Sequence, residues 1–256
     1  SSRWTSSTGR PGSYGATPAS AVRASCCSGV GSTAGDRTSG AGTRLRATLA
    51  RVETRDLGLF PLDLVLVPGE RIPLHIFEPR YRQLYADCVL EDRPFVLVRA
   101  EEGVAAEIGC AARFEELLQR MEDGRLSVIV RGVEAVRIVE ETEGSLYFSA
   151  LCETLADEPG PVDVNLAEEV RTLYTELSKR VTGETRTITP DDGVPLSYAV
   201  AGAVEIAAPI KQLLLESRDE NARMLRVIRA MQLALQAEDR ADVAEQRAKT
   251  NGKVSH

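Results

Sequence analysis

The sequence predicts an α+β protein in which an N-terminal β-barrel is followed by a C-terminal helical bundle. Between residues 57 and 155, short apolar runs with a period of two alternate with Gly, Pro and Asp turn residues, a pattern typical of strands. Beyond the Pro- and Gly-rich stretch at 158–161, apolar residues recur every three or four positions, as they do in helices. About five or six short strands with tight connections favour a small barrel over an open parallel sheet.

Composition divides the chain into four regions: a Ser-, Gly- and Arg-rich tail at 1–55, the barrel at 56–158, the helical part at 159–240 and a charged, frayed tail at 241–256. The first region has no apolar periodicity. It therefore cannot bury enough surface to offset its chain entropy, and we expect disorder there. An Arg- and Ser-rich, acid-poor segment also resembles an organellar transit peptide, but it lacks an amphipathic helix and the chain does not begin with Met.

Charge is distributed unevenly along the chain. Residues 1–52 carry seven arginines against one acid, a net of +6, so the overall charge of −7 leaves −13 for the remainder. An acidic body repels phosphate backbones, which argues against nucleic acid as a partner. No apolar run is long enough to span a bilayer, so we expect no membrane partner.

The barrel region begins with the densest apolar run. Alternation along residues 62–67 predicts a strand, and Pro68-Gly69 then supplies a tight turn. A second strand at 72–76 carries His75 on its opposite face. Its Pro73 cannot donate to a ladder, so we expect an edge strand. Glu78-Pro79 opens a helix, because proline is tolerated in the first turn.

Later segments continue the same pattern. The strands predicted from apolar runs lie at 95–98, 104–110, 126–139 and 146–152, while 114–121 fits either a strand or a helical turn. Gly132 within the longest strand indicates a bulge or barrel corner.

Four helices are predicted beyond residue 160. Asn165 and Glu168 suggest a capping box for the first, at 167–181, and Ser217 and Glu220 suggest one for the last. Between these helices lie a polar loop at 182–193, a buried helix at 196–206 and a helix at 209–216. The inward stripe predicted for the last helix, which we expect to fray from Ala237, is Met224, Leu225, Ile228, Met231 and Leu235.

The order of short motifs resembles the N-terminal, substrate-binding domain family of Lon proteases. The motifs are Leu59-Phe60-Pro61-Leu62, Pro68-Gly69, the stretch 73–82 (PLHIFEPRYR), Ile108-Gly109, Asp123-Gly124-Arg125-Leu126, Val130-Arg131-Gly132, Leu196-Ser197-Tyr198-Ala199 and the stretch 211–216 (KQLLLE). The resemblance covers roughly residues 57 to 235. The resemblance implies a PUA-like β-barrel followed by helices, and a function in binding polypeptide substrates.

Catalytic machinery is not predicted. No segment matches GxxxxGK[ST], so no ATP site is assigned, and Ser178 and Lys179 are helix neighbours that point apart and cannot act as nucleophile and base. His75 is the single histidine of the predicted folded part, and the dispersed cysteines 88, 110 and 152 do not suggest metal ligands. We therefore predict no enzyme, no cofactor and no metal, and free thiols in a reducing compartment, the cytoplasm.

The candidate peptide-binding residues are Phe77, Arg80 and Tyr81, at the point where the second strand gives way to the helix. One interpretation is that they attach the helix to the barrel. The other is that an extended peptide docks there on an aromatic ring and a guanidinium, aided by a free strand edge.

The predicted function is a non-catalytic module that binds unfolded or degron-bearing polypeptides, as an adaptor for a protease or chaperone machine in protein quality control. The last helix could also pair with a second copy to form a homo-oligomer. The alternatives are an RNA-binding PUA-like protein, against which the acidic body argues, and an ATP-dependent Lon-type peptidase, against which the missing motifs argue.

Overall fold

A computed structural model of the protein describes residues Thr54–Asn251 except Glu102 and Gly144, with side chains described up to Arg240. Residues 1–53 and 252–256 lie outside this range, so the disordered tail remains a prediction. The elements, in chain order, are β1 (Thr54–Leu62), β2 (Arg71–Ile76), α1 (Pro79–Leu90), β3 (Phe95–Glu101), β4 (Val104–Ala105), β5 (Ile108–Arg120), β6 (Leu126–Thr142), β7 (Ser149–Thr154), α2 (Val164–Thr182), α3 (Leu196–Ala203), α4 (Ala208–Leu215) and α5 (Glu220–Asn251). Along this stretch no helix has the length and apolarity of a membrane span.

The strands form a ring. In the sheet order β1-β7-β6-β5-β3 all neighbours are antiparallel, and a parallel pairing of β1 with β3, with Leu59 opposite Val96, joins the two ends. Closure removes the free edges of these five strands over their paired lengths. The predicted barrel with following helices is therefore confirmed.

Alternation along the ring strands produces two apolar clusters. Leu59 and Val96 belong to one cluster, whereas their neighbours Phe60 and Phe95 belong to the other, which also contains the buried face of α1. A third cluster lies among the helices and includes Val67 from the loop between β1 and β2. The loop thus contributes to the cores of both the barrel side and the helical side.

β2 lies outside the ring and, among the described strands, pairs with β6 alone, from Arg71 opposite Arg131 to Ile76 opposite Leu126. The predicted edge position is therefore confirmed, and His75 is on its exposed side. The predicted bulge at Gly132 is confirmed as well, because the β5–β6 register shifts between Ala111 and Ala112 there. A Cβ on Gly132 would overlap the carbonyl oxygen of Val67, so the close approach of the loop requires glycine.

Several predicted boundaries in the barrel region are wrong. A strand is predicted at 62–67, but β1 ends at Leu62. Val65, Leu66 and Val67 are all buried because the loop that contains them lies between two cores, and an alternating pattern does not describe such a loop. The predicted strand at 104–110 is split into β4 and the start of β5. The undecided stretch 114–121 is β-strand as far as Arg120.

Both predicted capping boxes are also wrong. The Asp163 carboxylate caps α2 by accepting from the backbone N–H groups of Asn165 and Leu166. At the start of α5, the Asp219 carboxylate accepts from Asn221 N at 2.9 Å. The Glu220 carboxylate instead accepts a hydrogen bond from the buried Arg223.

The predicted inward stripe of α5 is wrong at one residue. Leu225 is 54% exposed, and Val227 is buried instead. The helix continues to Asn251, past the position where fraying was predicted.

Candidate functional site

The predicted site residues are separated by the fold. Phe77 is 64% exposed, but Tyr81 is buried, with its ring centroid 4.1 Å from that of Phe60. Burial raises the pKa of the Tyr81 phenol. The Arg80 guanidinium lies 4.7 Å from the Tyr81 ring centroid and pairs with Glu78. For Arg80 and Tyr81 these contacts favour attachment of α1 to the barrel, and Phe77 is the member that remains open to a ligand.

A groove lies between the outer face of α1 and the turn of the β5–β6 hairpin, and Phe77 is two residues before Pro79, which lines it. We call it the α1–hairpin groove. It has a volume of about 780 Å³, and its walls are formed chiefly by Pro79, Arg82, Val89 and Leu90 from α1 and by Arg120, Met121 and Glu122 from the hairpin. Phe77 immediately follows the last β2–β6 pair, whose Leu126 also lines the groove.

The amphipathic pattern of α1 explains the groove. Tyr81, Leu84 and Cys88 face the barrel core at helical spacing, which turns Val89 and Leu90 outward. Their exposed fractions are 54% and 84%. Adjacent exposed apolar side chains beside a concave surface mark an interaction site more often than isolated ones do. The turn of the hairpin forms the opposite wall, because Glu122, Asp123 and Gly124 reverse the chain as predicted.

Two polar residues considered in the sequence, His75 and Ser178, are engaged in local hydrogen bonds. His75 Nδ1 is hydrogen-bonded to Ser127 Oγ at 2.9 Å on the exposed side of β2. Ser178 Oγ donates to Thr175 O and accepts from Arg186 N, so its hydroxyl is engaged within its own helix and the following loop. Among the side chains that the structure describes, no three His, Cys, Asp or Glu residues converge as metal ligands.

The three cysteines with described side chains are free and buried. Burial raises the pKa of Cys88 and of Cys152 to about 11, and raises the pKa of Cys110 further. Such thiols are protonated near neutral pH, which suits a packing role.

Comparison with known proteins identifies the family. The profile of the ATP-dependent protease La (LON) substrate-binding domain matches residues 56–232. The chain belongs to this family. The resemblance inferred from the sequence motifs is therefore confirmed.

The chain is also similar in sequence to curated Lon proteases. Lon protease 2 of Myxococcus xanthus is 30% identical over 191 residues, which cover 67% of this chain and 23% of that protein. Lon protease of Escherichia coli K12 is 26% identical over 190 residues, 68% of this chain and 24% of that protein. The match thus spans about a quarter of each relative.

Two solved structures share the fold. A Lon N-terminal domain protein from Xanthomonas campestris has a TM-score of 0.53 at 22% identity, covering 68% of this chain and 97% of that chain. The N-terminal domain of a Mycobacterium avium complex Lon protease has a TM-score of 0.56 at 18% identity, covering 70% of this chain and 98% of that chain.

Proposed function

We propose that this LON-family chain is a non-catalytic module that binds unfolded or degron-bearing polypeptides in the α1–hairpin groove, with the exposed Phe77 as a further contact. The observation that carries the proposal is the pair of exposed apolar side chains, Val89 and Leu90, in a groove large enough for several peptide side chains. An unfolded polypeptide offers apolar side chains that a folded protein hides, so such a groove distinguishes the two.

The free edge of strand β2 supports the same proposal. β2 pairs with β6 on one side only, and its residues lead directly to Phe77. An extended peptide can add main-chain hydrogen bonds to such an edge while its side chains occupy the groove. Pro73 limits the donors that β2 offers, so we assign most of the affinity to the groove.

The test is binding of a labelled, permanently unfolded polypeptide, followed by fluorescence anisotropy. Burying a large apolar side chain is worth about 1.5–3 kcal/mol, so Phe77→Ala and Leu90→Ser should each weaken binding roughly tenfold to a hundredfold if the side chain is fully covered. Leu146→Ser is the matched control, since Leu146 is 79% exposed, close to the 84% of Leu90, but lies between β6 and β7, away from the groove. Unchanged binding by both groove variants, or an equal loss in the control, would reject the groove.

We further propose that this binding serves proteolysis, with the chain acting as an adaptor that presents polypeptides to a protease or chaperone machine in the cytoplasm. The Lon relatives and the free buried thiols support this assignment. The experiment tests whether the purified chain captures an ATP-dependent protease. If the client bridges the chain and the protease, the capture should be lost in the Leu90→Ser variant. RNA binding is the second candidate that the fold allows, and the acidic body argues against it.

Pairing of two copies through α5 is also proposed. Leu225 and Leu233 are both at least half-exposed on this helix. Light scattering should report a dimer that Leu225→Glu with Leu233→Glu converts to a monomer. A monomeric wild-type chain would contradict the pairing.

A further inference from the structure

Two arginines in the α1–hairpin groove have no carboxylate partner among the described residues. Most other arginines of this part of the chain are in ion pairs, including Arg80 with Glu78 and Arg125 with Asp123. Arg82 and Arg120 are in none, although both line the groove. Two of the described arginines without an ion pair therefore line the surface that we propose binds polypeptide, and the others lie along α5.

The position of Arg82 is set by the hairpin turn. Its Nη1 donates to the backbone oxygen of Asp123 at 3.3 Å and lies against Gly124, and its buried Nε has no acceptor. The Asp123 carboxylate lies within electrostatic range of Arg82 but accepts its hydrogen bonds from Arg125, through both the backbone N–H and the side chain of that residue. The guanidinium is thus held between α1 and the hairpin without an ion pair, and Asp123 offsets its charge only in part.

Arg120 approaches the groove from the opposite side. It is the last residue of β5, and its side chain is exposed. Glu122 is the acidic side chain on the same wall. The lining therefore carries two positive charges and one negative charge, in a chain whose remainder beyond residue 52 is strongly acidic.

We propose that the α1–hairpin groove selects polypeptide segments in which an acidic side chain lies beside large apolar side chains, with Arg82 and Arg120 as the specificity-determining residues. This inference rests on the proposed function and adds to it the chemistry of the preferred client. The apolar side chains occupy the surface around Val89, Leu90 and Met121, and the carboxylate accepts hydrogen bonds from the guanidinium groups. Charge complementarity here acts on the choice of client more than on total affinity.

A phosphate ligand is the competing occupant, because arginine also binds phosphate. The exposed Val89 and Leu90 in the same groove favour a ligand with apolar side chains, and the net negative charge of the chain disfavours a polyanion. A polypeptide with one carboxylate among apolar residues satisfies both features of the groove.

The experiment compares three labelled peptides of one length that share their Leu and Phe positions and carry Glu, Gln or Lys between them. Hydrogen bonds to charged groups predict that the full chain binds the Glu peptide about tenfold more tightly than the Gln peptide, and the Lys peptide more weakly still. Raising the salt concentration should reduce the preference. In the double variant Arg82→Gln with Arg120→Gln the preference should disappear, while affinity for the Gln peptide stays within about twofold.

The matched control is Arg226→Gln with Arg229→Gln, which removes the same charge from the exposed side of α5. It should keep the preference. Arg120→Gln alone, an exposed side chain with no ion pair, provides a second groove variant should Arg82→Gln reduce the melting temperature.

Each other outcome overturns the inference in a recognisable way. Equal binding of the Glu and Gln peptides by the wild type removes the charge selection and leaves the proposed apolar binding intact. An equal loss of preference in the α5 control shows an effect of net charge alone. An RNA oligonucleotide that displaces the Glu peptide, and that loses affinity in the groove variant, assigns the arginines to phosphate. No binding of any peptide rejects the proposed function itself.

Discussion

Arg223 should be the most sensitive position in the helical half of the protein. It is fully buried, and its guanidinium donates to Asp157 through two nitrogens, to the Ser217 carbonyl oxygen at 2.8 Å and to Ser197 Oγ at 3.0 Å. It also donates to Glu220 at 2.8 Å. The segment after β7, the start of α3 and the turn between α4 and α5 therefore meet at one side chain.

The substitution Arg223→Met keeps much of the side-chain volume and removes the charge. Breaking a buried pair from one side costs about 3–5 kcal/mol, because the remaining carboxylates lose their partner. Asp157 is 37% exposed and recovers hydration, whereas Glu220 at 14% recovers little. For a domain of this size the free-energy loss corresponds to a fall in melting temperature of roughly 6–20 °C.

Urea unfolding followed by circular dichroism measures the loss, with Arg226→Met as the control. Arg226 is one turn away on α5 and exposed, so its loss should change stability by no more than about 0.5 kcal/mol. Asp157→Asn should cost an intermediate amount, about 1–2 kcal/mol, because Glu220 still pairs with the arginine. A loss below about 1 kcal/mol for Arg223→Met would refute the view that this cluster joins the elements.

Three further predictions concern single sites. Gly132→Ala should destabilise the chain by more than about 3 kcal/mol, because its Cβ overlaps a backbone carbonyl, whereas Gly160→Ala, with open space around it, should be neutral in the same urea titration. Asp163→Ala removes the cap of α2 and should cost about 1 kcal/mol by denaturant unfolding, with Asp163→Asn nearly neutral; equal losses for both variants would contradict the capping role. Cys88 and Cys152 have folded-state pKa values raised to about 11, so their contribution is complete below pH 9 and is lost as the pH rises from 9 to 11. Unfolding free energies should accordingly fall by up to about 1.4 kcal/mol per pH unit for each thiol, and the corresponding Ser variants should lose that slope.

Local chemistry made much of the fold predictable. Pro68-Gly69 and Glu122-Asp123-Gly124 form the turns that their residue types indicate, and Pro73 lies on an edge strand because it cannot donate. The helix caps were predicted wrongly because several Ser, Asn and Asp residues near each helix start can act as the cap. Tertiary contacts decide among them. Glu220 matches a capping pattern in sequence, but Arg223 and Ser197 bind it in the structure.

The candidate site was only partly predictable. Phe77 is predicted because it lies where the second strand gives way to the helix, but the same argument groups Tyr81 with it, although i, i+3 and i+7 spacing with Leu84 and Cys88 places Tyr81 inward. The same helical spacing indicates that Val89 and Leu90 lie on the outward face of α1. Arg120 and Met121 could not be found in this way, since their proximity to α1 depends on long-range pairing of β5 and β6.

The position of the groove on the fold bears on the proposed binding. One wall is α1, fixed by Tyr81, Leu84 and Cys88 in the barrel core, and the other ends a hairpin whose strands pair up to Arg120 and Leu126. Walls on regular elements lose little conformational entropy when a ligand binds, so the ordering cost falls almost entirely on the client. That cost is smallest for a segment that is already extended and anchored at a few points, and largest for one that must first unfold. The groove should therefore discriminate against folded proteins by the cost of unfolding them, and among unfolded segments by the apolar and acidic side chains that they present.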